Sequence, residues 1–475
     1  MSESDNKLTV TVADPTAEIS IIDGNLNRVA RSVGHFEQNL SPGIYKVQVQ
    51  VGPSIDEQLV SLDQSRDLQF TAPEIPSPVP LESSSRSHEY HREFAIAAAA
   101  NAIDHFGSGS SIFVFAREWT KSSTGTDDNP AQDLSLLKED GTPLVKIADR
   151  ADVHLQDDPS AGWRADLSPG AYRVRLELPD GTGYERSLYA AQGFQTQLFL
   201  LTREYPLNDH SICHRADLDT GTVAMSANFA FDPVAPRARM TELAIYALTQ
   251  TRRILSDALL QGLLDEKFDD PMLGILGAHL VLRDHPEDSR TFQTVTNNLR
   301  RIVGLDHPDV QALWLAREDR GDVTTLQLQT PPMLRQSWDI ATEKSVPNPD
   351  VISAQLDLDA IASAPWLIWR ADRAALAATE AVPGQSAFVT NVLSEYLKSR
   401  NRSDEELAKV MQGFFGKAGD RLLSLLPHVL QTFRSARTSD QMTLPKLSED
   451  DKIELARVLG VSGRVLENTL KKLSR

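Results

Sequence analysis

The stretch Leu167-Ser168-Pro169-Gly170-Ala171-Tyr172-Arg173-Val174-Arg175-Leu176 repeats the pattern of an earlier one, Leu40-Ser41-Pro42-Gly43-Ile44-Tyr45-Lys46-Val47-Gln48-Val49. A duplication of this kind constrains the fold more than any single motif, because both copies must satisfy one architecture. In each, Pro-Gly supplies turn geometry that ordinary residues resist. The run that follows alternates: Tyr45, Val47 and Val49 with Lys46, Gln48 and Gln50, then Tyr172, Val174 and Leu176 with Arg173, Arg175 and Glu177. Period-two alternation predicts half-buried antiparallel strands. The repeat extends upstream. Glu18 to Ile22, an Asp23-Gly24 turn, an apolar run from Val29 and then Phe36 precede the first copy. Leu134 to Leu137, Asp140-Gly141, Pro143 to Ile147 and then Trp163 precede the second. Nothing in either copy carries chemistry.

At 475 residues the chain exceeds one core and should divide into roughly three or four domains. Residues 1–75 form a first β-sandwich module, with strand candidates at 8–12, 18–22, 29–33, 45–51, 58–62 and 68–70. Residues 76–108 are a Pro- and Ser-rich linker and an Ala-rich helix over 87–106, ended at Gly107. Residues 109–205 form the second β-sandwich module, 206–236 a linker, 237–437 an α-helical domain and 438–475 a helical tail. In the α half, apolar spacing from Met240 to Leu264 is helical, and Asp270-Pro271 reads as an N-cap followed by proline at the first helical position. Further helices fit 272–282, 289–303, 308–317, 333–344, 371–380, 386–398, 405–415 and 421–434. The fold class expected is therefore multidomain β then α: two small antiparallel sandwiches, an all-α domain and a C-terminal helical hairpin.

Composition narrows the function. Hydrophobic residues at 41% and charged residues at 24% are ordinary for globular protein. A net charge of -18 opposes general attraction to nucleic acid or anionic membrane and favours a basic partner. One cysteine, Cys213, excludes an intramolecular disulfide framework, and Met1-Ser2-Glu3-Ser4-Asp5 lacks signal-peptide character. No apolar run reaches the ~18 residues of a membrane span. These features lead us to expect a cytoplasmic protein.

The order strand, Asp-Gly turn, strand, then Leu-x-Pro-Gly-x-Tyr-x-Val resembles the PEGA-type and carboxypeptidase-regulatory-type β-sandwiches of bacteria. The resemblance covers about 160 residues. It implies a rigid spacer or interaction module without catalytic residues. The Gly-Tyr that often ends such repeats is present as Gly183-Tyr184, whereas the first copy is read as having Asp56-Glu57 there. The texture of the helical block, with Asp270-Pro271-Met272-Leu273-Gly274, Asp306-His307-Pro308-Asp309 and Pro365-Trp366, is similar to that of helical proteins encoded near bacterial conflict-type proteases.

Candidate site residues are few. Trp314, Trp338, Trp366 and Trp369 are either core aromatics or the lining of a groove for a peptide or partner helix. His210, Cys213 and His214, beside Asp209, Asp217 and Asp219, hold the residue types of a thiolate-base pair or a zinc site, but adjacency in sequence suits neither. His88-x-x-His91 lacks a third ligand, and His279 in an apolar helix reads as a core histidine. No phosphate loop, dinucleotide fingerprint, nucleophile elbow or His-Glu-x-x-His is present. We expect no catalytic residue, cofactor or metal. The tail 451–473 resembles a helix-turn-helix, with Ala456 at the helix crossing, Gly460 in the turn and Ser462 capping a second helix that would expose Arg464, Asn468 and Lys471. Its seven basic and five acidic side chains from Lys446 onward give few phosphate contacts. The expected function is a non-enzymatic adaptor or scaffold for a protein partner, regulating a protease or signalling enzyme of bacterial defence. The alternatives are a DNA-binding regulator acting through the tail and a hydrolase with an unrecognised site.

Overall fold

A computed structural model describes the chain from Asn6 to Ala371, apart from short internal gaps, and isolated tail positions between 452 and 467. The helices expected over 371–434 lie outside the described residues, as do most of loop 122–130 and the tail's Ser462, Arg464, Asn468 and Lys471. The layout is β first, α later.

The first copy comprises β1 (Asn6–Val12), β2 (Glu18–Asp23), β3 (Arg28–Val33), β4 (His35–Leu40), β5 (Gly43–Val51), β6 (Ser54–Leu62) and β7 (Arg66–Phe70). They form two sheets, ordered β4-β1-β7 and β3-β2-β5-β6. Leu8, Val10, Ile19, Ile21, Val47 and Val49 from both sheets are fully buried in one cluster, which is the core that the alternating pattern requires. After the copy comes α1 (His88–Ala100), then β8 (Asp104–His105). The second copy comprises β9 (Ser110–Arg117), β10 (Leu134–Lys138), β11 (Pro143–Lys146), β13 (Ser160–Leu167), β14 (Gly170–Glu177), β15 (Gly183–Ala190) and β16 (Gln195–Pro206), with β12 (Asp152–His154) inserted before β13.

The duplication reaches the strand topology. β1 pairs antiparallel with β4 and parallel with β7; β9 pairs antiparallel with β13 and parallel with β16. The second sheets correspond as β3-β2-β5-β6 and β11-β10-β14-β15, each with a register shift at the end of its first hairpin. In both hairpins an Asp carboxylate closes the turn: Asp23 accepts from the Asn25 and Asn27 N–H groups, Asp140 from that of Thr142. In both copies the motif tyrosine donates its hydroxyl to a backbone carbonyl four residues upstream, Tyr45 to Ser41 at 2.8 Å and Tyr172 to Ser168 at 2.9 Å. These bonds pin the Pro-Gly corner to the strand that follows. The modules are thus not wholly antiparallel as expected, since the last strand of each copy returns alongside the first.

The copies differ at their edges. β13 carries β12 and, in parallel, β8; β16 carries β17 (Ile212–Ala216) and β18 (Thr222–Ser226). The stretch 206–236, expected to be a linker, therefore supplies two strands. The Ala-rich helix stops at Ala100, six residues earlier than expected, and the chain turns to pair β8 with β13. Gly107 marks a close approach and not a helix end: a Cβ there would lie 2.3 Å from the Ser168 nitrogen. β9 is buried along its whole length because Ile112, Val114 and Ala116 face the main core while Phe113 and Phe115 meet Ala95, Ala98 and Ala99 of α1. A Cβ on Gly162 would fall 2.6 Å from that of Ala98, so the helix can lie on the sheet only where side chains are small. β4 was not anticipated because only Phe36 and Leu40 of its six residues are buried.

The helices are α2 (Pro236–Thr249), α3 (Asp257–Asp265), α4 (Pro271–Asp284), α5 (Ser289–Val303), α6 (Pro308–Leu315) and α7 (Arg335–Ser345). α4 is buried from Pro271 to Val281 and packs against α2, α3, α5, α6 and β18. The region is not all α: β19 (Asp359–Ile361) and β20 (Ile368–Arg370) follow, and β20 pairs antiparallel with β15. The second sheet of copy two thus reads β11-β10-β14-β15-β20-β19. At the tail, Ala456, Val461 and Leu466 are buried and the Gly463 N–H donates to Ser345 Oγ at 2.8 Å, against the end of α7. Among the described residues no helix is long and apolar enough to cross a membrane.

Candidate functional site

Polar groups concentrate where the helices meet the second copy, and they are buried. Asp270 caps α4, and its Oδ1 accepts from both the Met272 N–H and the Met225 N–H of β18, each at 3.0 Å. One carboxylate so joins a helix N-terminus to an edge strand. Burial pushes its pKa up to about 7, against the pull of those donors. Glu242 of α2 accepts from Thr222 Oγ1 at 2.5 Å, and burial likewise raises its pKa to about 7. Beside these ties lies a shallow hollow lined in part by Phe199, Phe231, Thr241 and Asp270.

A second group has the residue types of a hydrolase. His279 Nε2 lies 2.8 Å from Ser337 Oγ, and Ser337 also bonds to Asp309, whose two oxygens accept the Met333 and Leu334 N–H groups at 2.9 and 3.0 Å. Catalysis by such a set requires the imidazole between the hydroxyl and the carboxylate. Here the serine sits in the middle. Ser337 and Asp309 are fully buried and His279 is 4% exposed, so no substrate reaches them in this conformation. Burial holds His279 and His307 neutral, with pKa values lowered to about 3, and raises Asp309 to about 6. The His307 ring packs 4.5 Å from that of Tyr189 while its Nδ1 accepts the Asp309 N–H, which fastens the start of α6 to the sheet. What this arrangement does is lock α4, α6 and α7 together.

The third group spans the paired strands β15 and β20. Glu185 of β15 accepts from Arg175 Nε at 2.6 Å and from the Trp369 indole Nε1 of β20 at 3.0 Å, and Arg173 lies 3.6 Å away. It is 1% exposed. Its neighbour Arg186, fully buried, stacks 4.3 Å over the Trp366 ring and donates to the Leu218 carbonyl. Burial lowers its pKa to about 9, opposed by Asp219, Asp217 and Asp309.

The candidate residues from the sequence disperse. Trp338 and Trp366 are fully buried and Trp369 is 3% exposed, so these three are core aromatics and not the lining of an open groove; indoles on β-strands and inward helix faces carry the apolar area a core needs. Trp338 and Trp369 share one cluster, while Trp366 belongs to another. Trp314 is half-buried, with the guanidinium groups of Arg300 and Arg317 at 5.0 and 4.1 Å from its ring. Cys213 and His214 lie on β17 opposite Tyr205 and Glu204; as strand neighbours their side chains leave opposite faces. His214 Nε2 is 3.4 Å from Glu204 Oε1, and His210 lies outside the described residues. His91 is buried on α1. Among the described residues no three His, Cys, Asp or Glu side chains converge on a common point. The Glu185–Trp369 contact, joining residues 184 apart, had no local signal in the sequence.

No protein-family model matches the chain, and no curated protein does. Among solved structures, the Bacillus anthracis TIE protein is 11% identical, with 40% of this chain and 32% of that one covered and a TM-score of 0.16. The chain thus spans about a third of that protein's length. A candidate cell adhesion protein from Bacteroides fragilis is 8% identical over 45% of this chain and 84% of that chain, with a TM-score of 0.15. SGBP-B of the Bacteroides ovatus mixed-linkage glucan utilization locus, in complex with a mixed-linkage heptasaccharide, is 9% identical over 49% and 62%, with a TM-score of 0.10. Likeness at this level carries no argument about fold or function.

Proposed function

We propose that the chain is a non-enzymatic adaptor or scaffold: a pair of β-sandwich modules of PEGA-like type, the second fused to the helices, the first presented to a protein partner. One observation carries this reading. Copy two has its edges built over by β8, β12, β17, β18 and β20, whereas copy one carries no such added strands among the described residues and shows Ile44, Ile55 and Leu59 at 62%, 52% and 73% exposure. Sheet edges left unpaired template pairing with another chain. The burial of His279, Ser337 and Asp309 agrees with a structural role for the groups that could otherwise suggest hydrolysis. For the tail, the contact of Gly463 with Ser345 supports a hairpin docked on the chain's own body. Regulation of a protease or signalling enzyme in bacterial defence is the setting this reading favours.

The test is affinity purification of the full chain from its native cells with nuclease present, followed by calorimetry of the purified pair. A stoichiometric protein that binds the purified chain directly, and still binds when Arg464→Glu and Lys471→Glu are introduced, supports the scaffold. Nucleic acid that is retained instead, elutes with salt and is lost on those substitutions, favours the regulator and refutes this reading.

A further inference from the structure

The two copies superimpose by register at their open and closed edges. Tyr45 pairs with Val60 as Tyr172 pairs with Leu188, which makes Glu57 the counterpart of Glu185, Asp56 of Tyr184, Lys46 of Arg173 and Gln48 of Arg175. The end of the first repeat is therefore Ile55-Asp56, one residue earlier than the sequence suggested. In copy two, Glu185 is held by strand β14 and receives the indole N–H of Trp369 from the added strand, whose Arg370 pairs with Tyr184 and whose Ala371 N–H donates to the Gly183 carbonyl. In copy one the same holder is assembled. Glu57 Oε1 accepts from Lys46 Nζ at 3.0 Å and Gln48 Nε2 at 2.8 Å, and among the described residues no hydrogen bond reaches Oε2. The equivalent atom of Glu185 is the one that takes the indole. Ile55 and Leu59 flank Glu57 on the outward face of β6, both exposed.

We infer that β6 is a strand-acceptor edge whose occupant is an extended, antiparallel segment of a partner protein carrying a tryptophan opposite Glu57 and a basic residue next to it, opposite Asp56. The inference rests on the scaffold reading and names its surface. Copy two shows the chemistry: the sequence Ile368-Trp369-Arg370 on β15 would, on β6, set the indole against Glu57 and the arginine against Asp56. Charge favours a foreign basic strand over a second copy. Two β6 strands paired about a dyad would gather Asp56 and Glu57 from both chains, on a protein of net charge -18, with no donor for Glu57 Oε2.

The probe is a labelled synthetic peptide, Pro-Trp-Leu-Ile-Trp-Arg-Ala with a lysine tail, titrated against the full chain by fluorescence anisotropy, with light scattering to report oligomeric state. Binding is expected to weaken at least about tenfold for Leu59→Lys, a charge placed on an edge strand. It should weaken by roughly tenfold or more for Glu57→Ala, or when the peptide's second Trp is replaced by Phe, through loss of a charge-assisted hydrogen bond. Both altered side chains are solvent-facing and Glu57 gives up only an exposed ion pair and one hydrogen bond, so the melting temperature should shift by no more than a few degrees alongside these losses. No binding to the unaltered chain overturns the inference, as does binding indifferent to Leu59→Lys, which is the result if the peptide displaces β20 from β15. A dimer abolished by Leu59→Lys assigns the edge to a second copy and overturns it too. If the native partner is retained by the Leu59→Lys chain, this surface is wrong while the scaffold reading stands.

Discussion

Replacing Asp270 separates its two contributions, since it is both an acceptor and a buried charge. Asp270→Ala removes the cap of α4 and leaves the Met225 and Met272 N–H groups unsatisfied in a site that is 1% exposed. Losing the cap bond to Met272 costs about 1 kcal/mol and orphaning the Met225 donor about 1–3 kcal/mol, so a destabilisation of roughly 2–4 kcal/mol is expected at low pH, and the deficit narrows as pH rises because alanine also removes the buried ionisation. Asp270→Asn keeps an oxygen for both donors and removes the ionisation. The sign follows from the raised pKa: the folded state holds the proton longer than the unfolded chain, so stability is greatest below the ordinary value of 3.8 and falls as pH rises through about 7. Relative to low pH, the loss is about 2 kcal/mol at pH 5 and about 4 kcal/mol at pH 8. Between pH 5 and pH 8 the asparagine chain should therefore gain on the order of 2–3 kcal/mol on the unaltered one. Urea denaturation followed by tryptophan fluorescence at the two pH values measures this. An asparagine variant as damaged as the alanine variant, or a gap between asparagine and wild type that does not change with pH, would refute the reasoning.

Other consequences can be checked in the same way. Gly463→Ala places a Cβ 2.5 Å from Val346 Cα and 2.7 Å from the Ser345 carbonyl oxygen, so the tail should detach and limited proteolysis should remove residues 438–475 faster than from wild type. Tyr45→Phe and Tyr172→Phe each delete one hydroxyl-to-carbonyl bond at equivalent corners and should each lower stability by about 1 kcal/mol in chemical denaturation. His279 and His307 act with the opposite sign to Asp270. Held neutral with pKa values near 3, they make stability fall as pH drops from about 6.5 towards 3, and in a Glu242→Gln, Asp270→Asn background His279→Gln should flatten that acid limb in thermal melts.

Legibility in the sequence followed locality. The repeated Pro-Gly-x-Tyr runs announced both copies because strand, turn and alternation are all written within ten residues. The N-cap at Asp270 and the helix at 289–303 were readable for the same reason, from a capping residue and a 3.6-residue period. β4 escaped because an edge strand buries little and so shows little alternation. β17, β18 and β20 escaped because their pairing partners, not their own residues, make them strands: Cys213 and His214 read as reactive side chains in a loop, and Ile368-Trp369-Arg370 as helix-domain aromatics. The four tryptophans could be recognised as important but not placed, since whether an indole lines a groove or fills a core depends on what packs over it. The correspondence of Glu57 with Glu185 needed the registers of both hairpins, which the sequence had offset by one residue.

The two copies share one strand order, closed at the edge of β15 by β20 and open at the edge of β6. Amide hydrogen exchange of the monomeric full chain reads this directly. Slow exchange is expected along 183–190 and fast exchange at alternate amides of 54–62, those facing away from β5, with protection gained there when the tryptophan-containing peptide is added. Protection of 54–62 in the free monomer equal to that of 183–190 would contradict it.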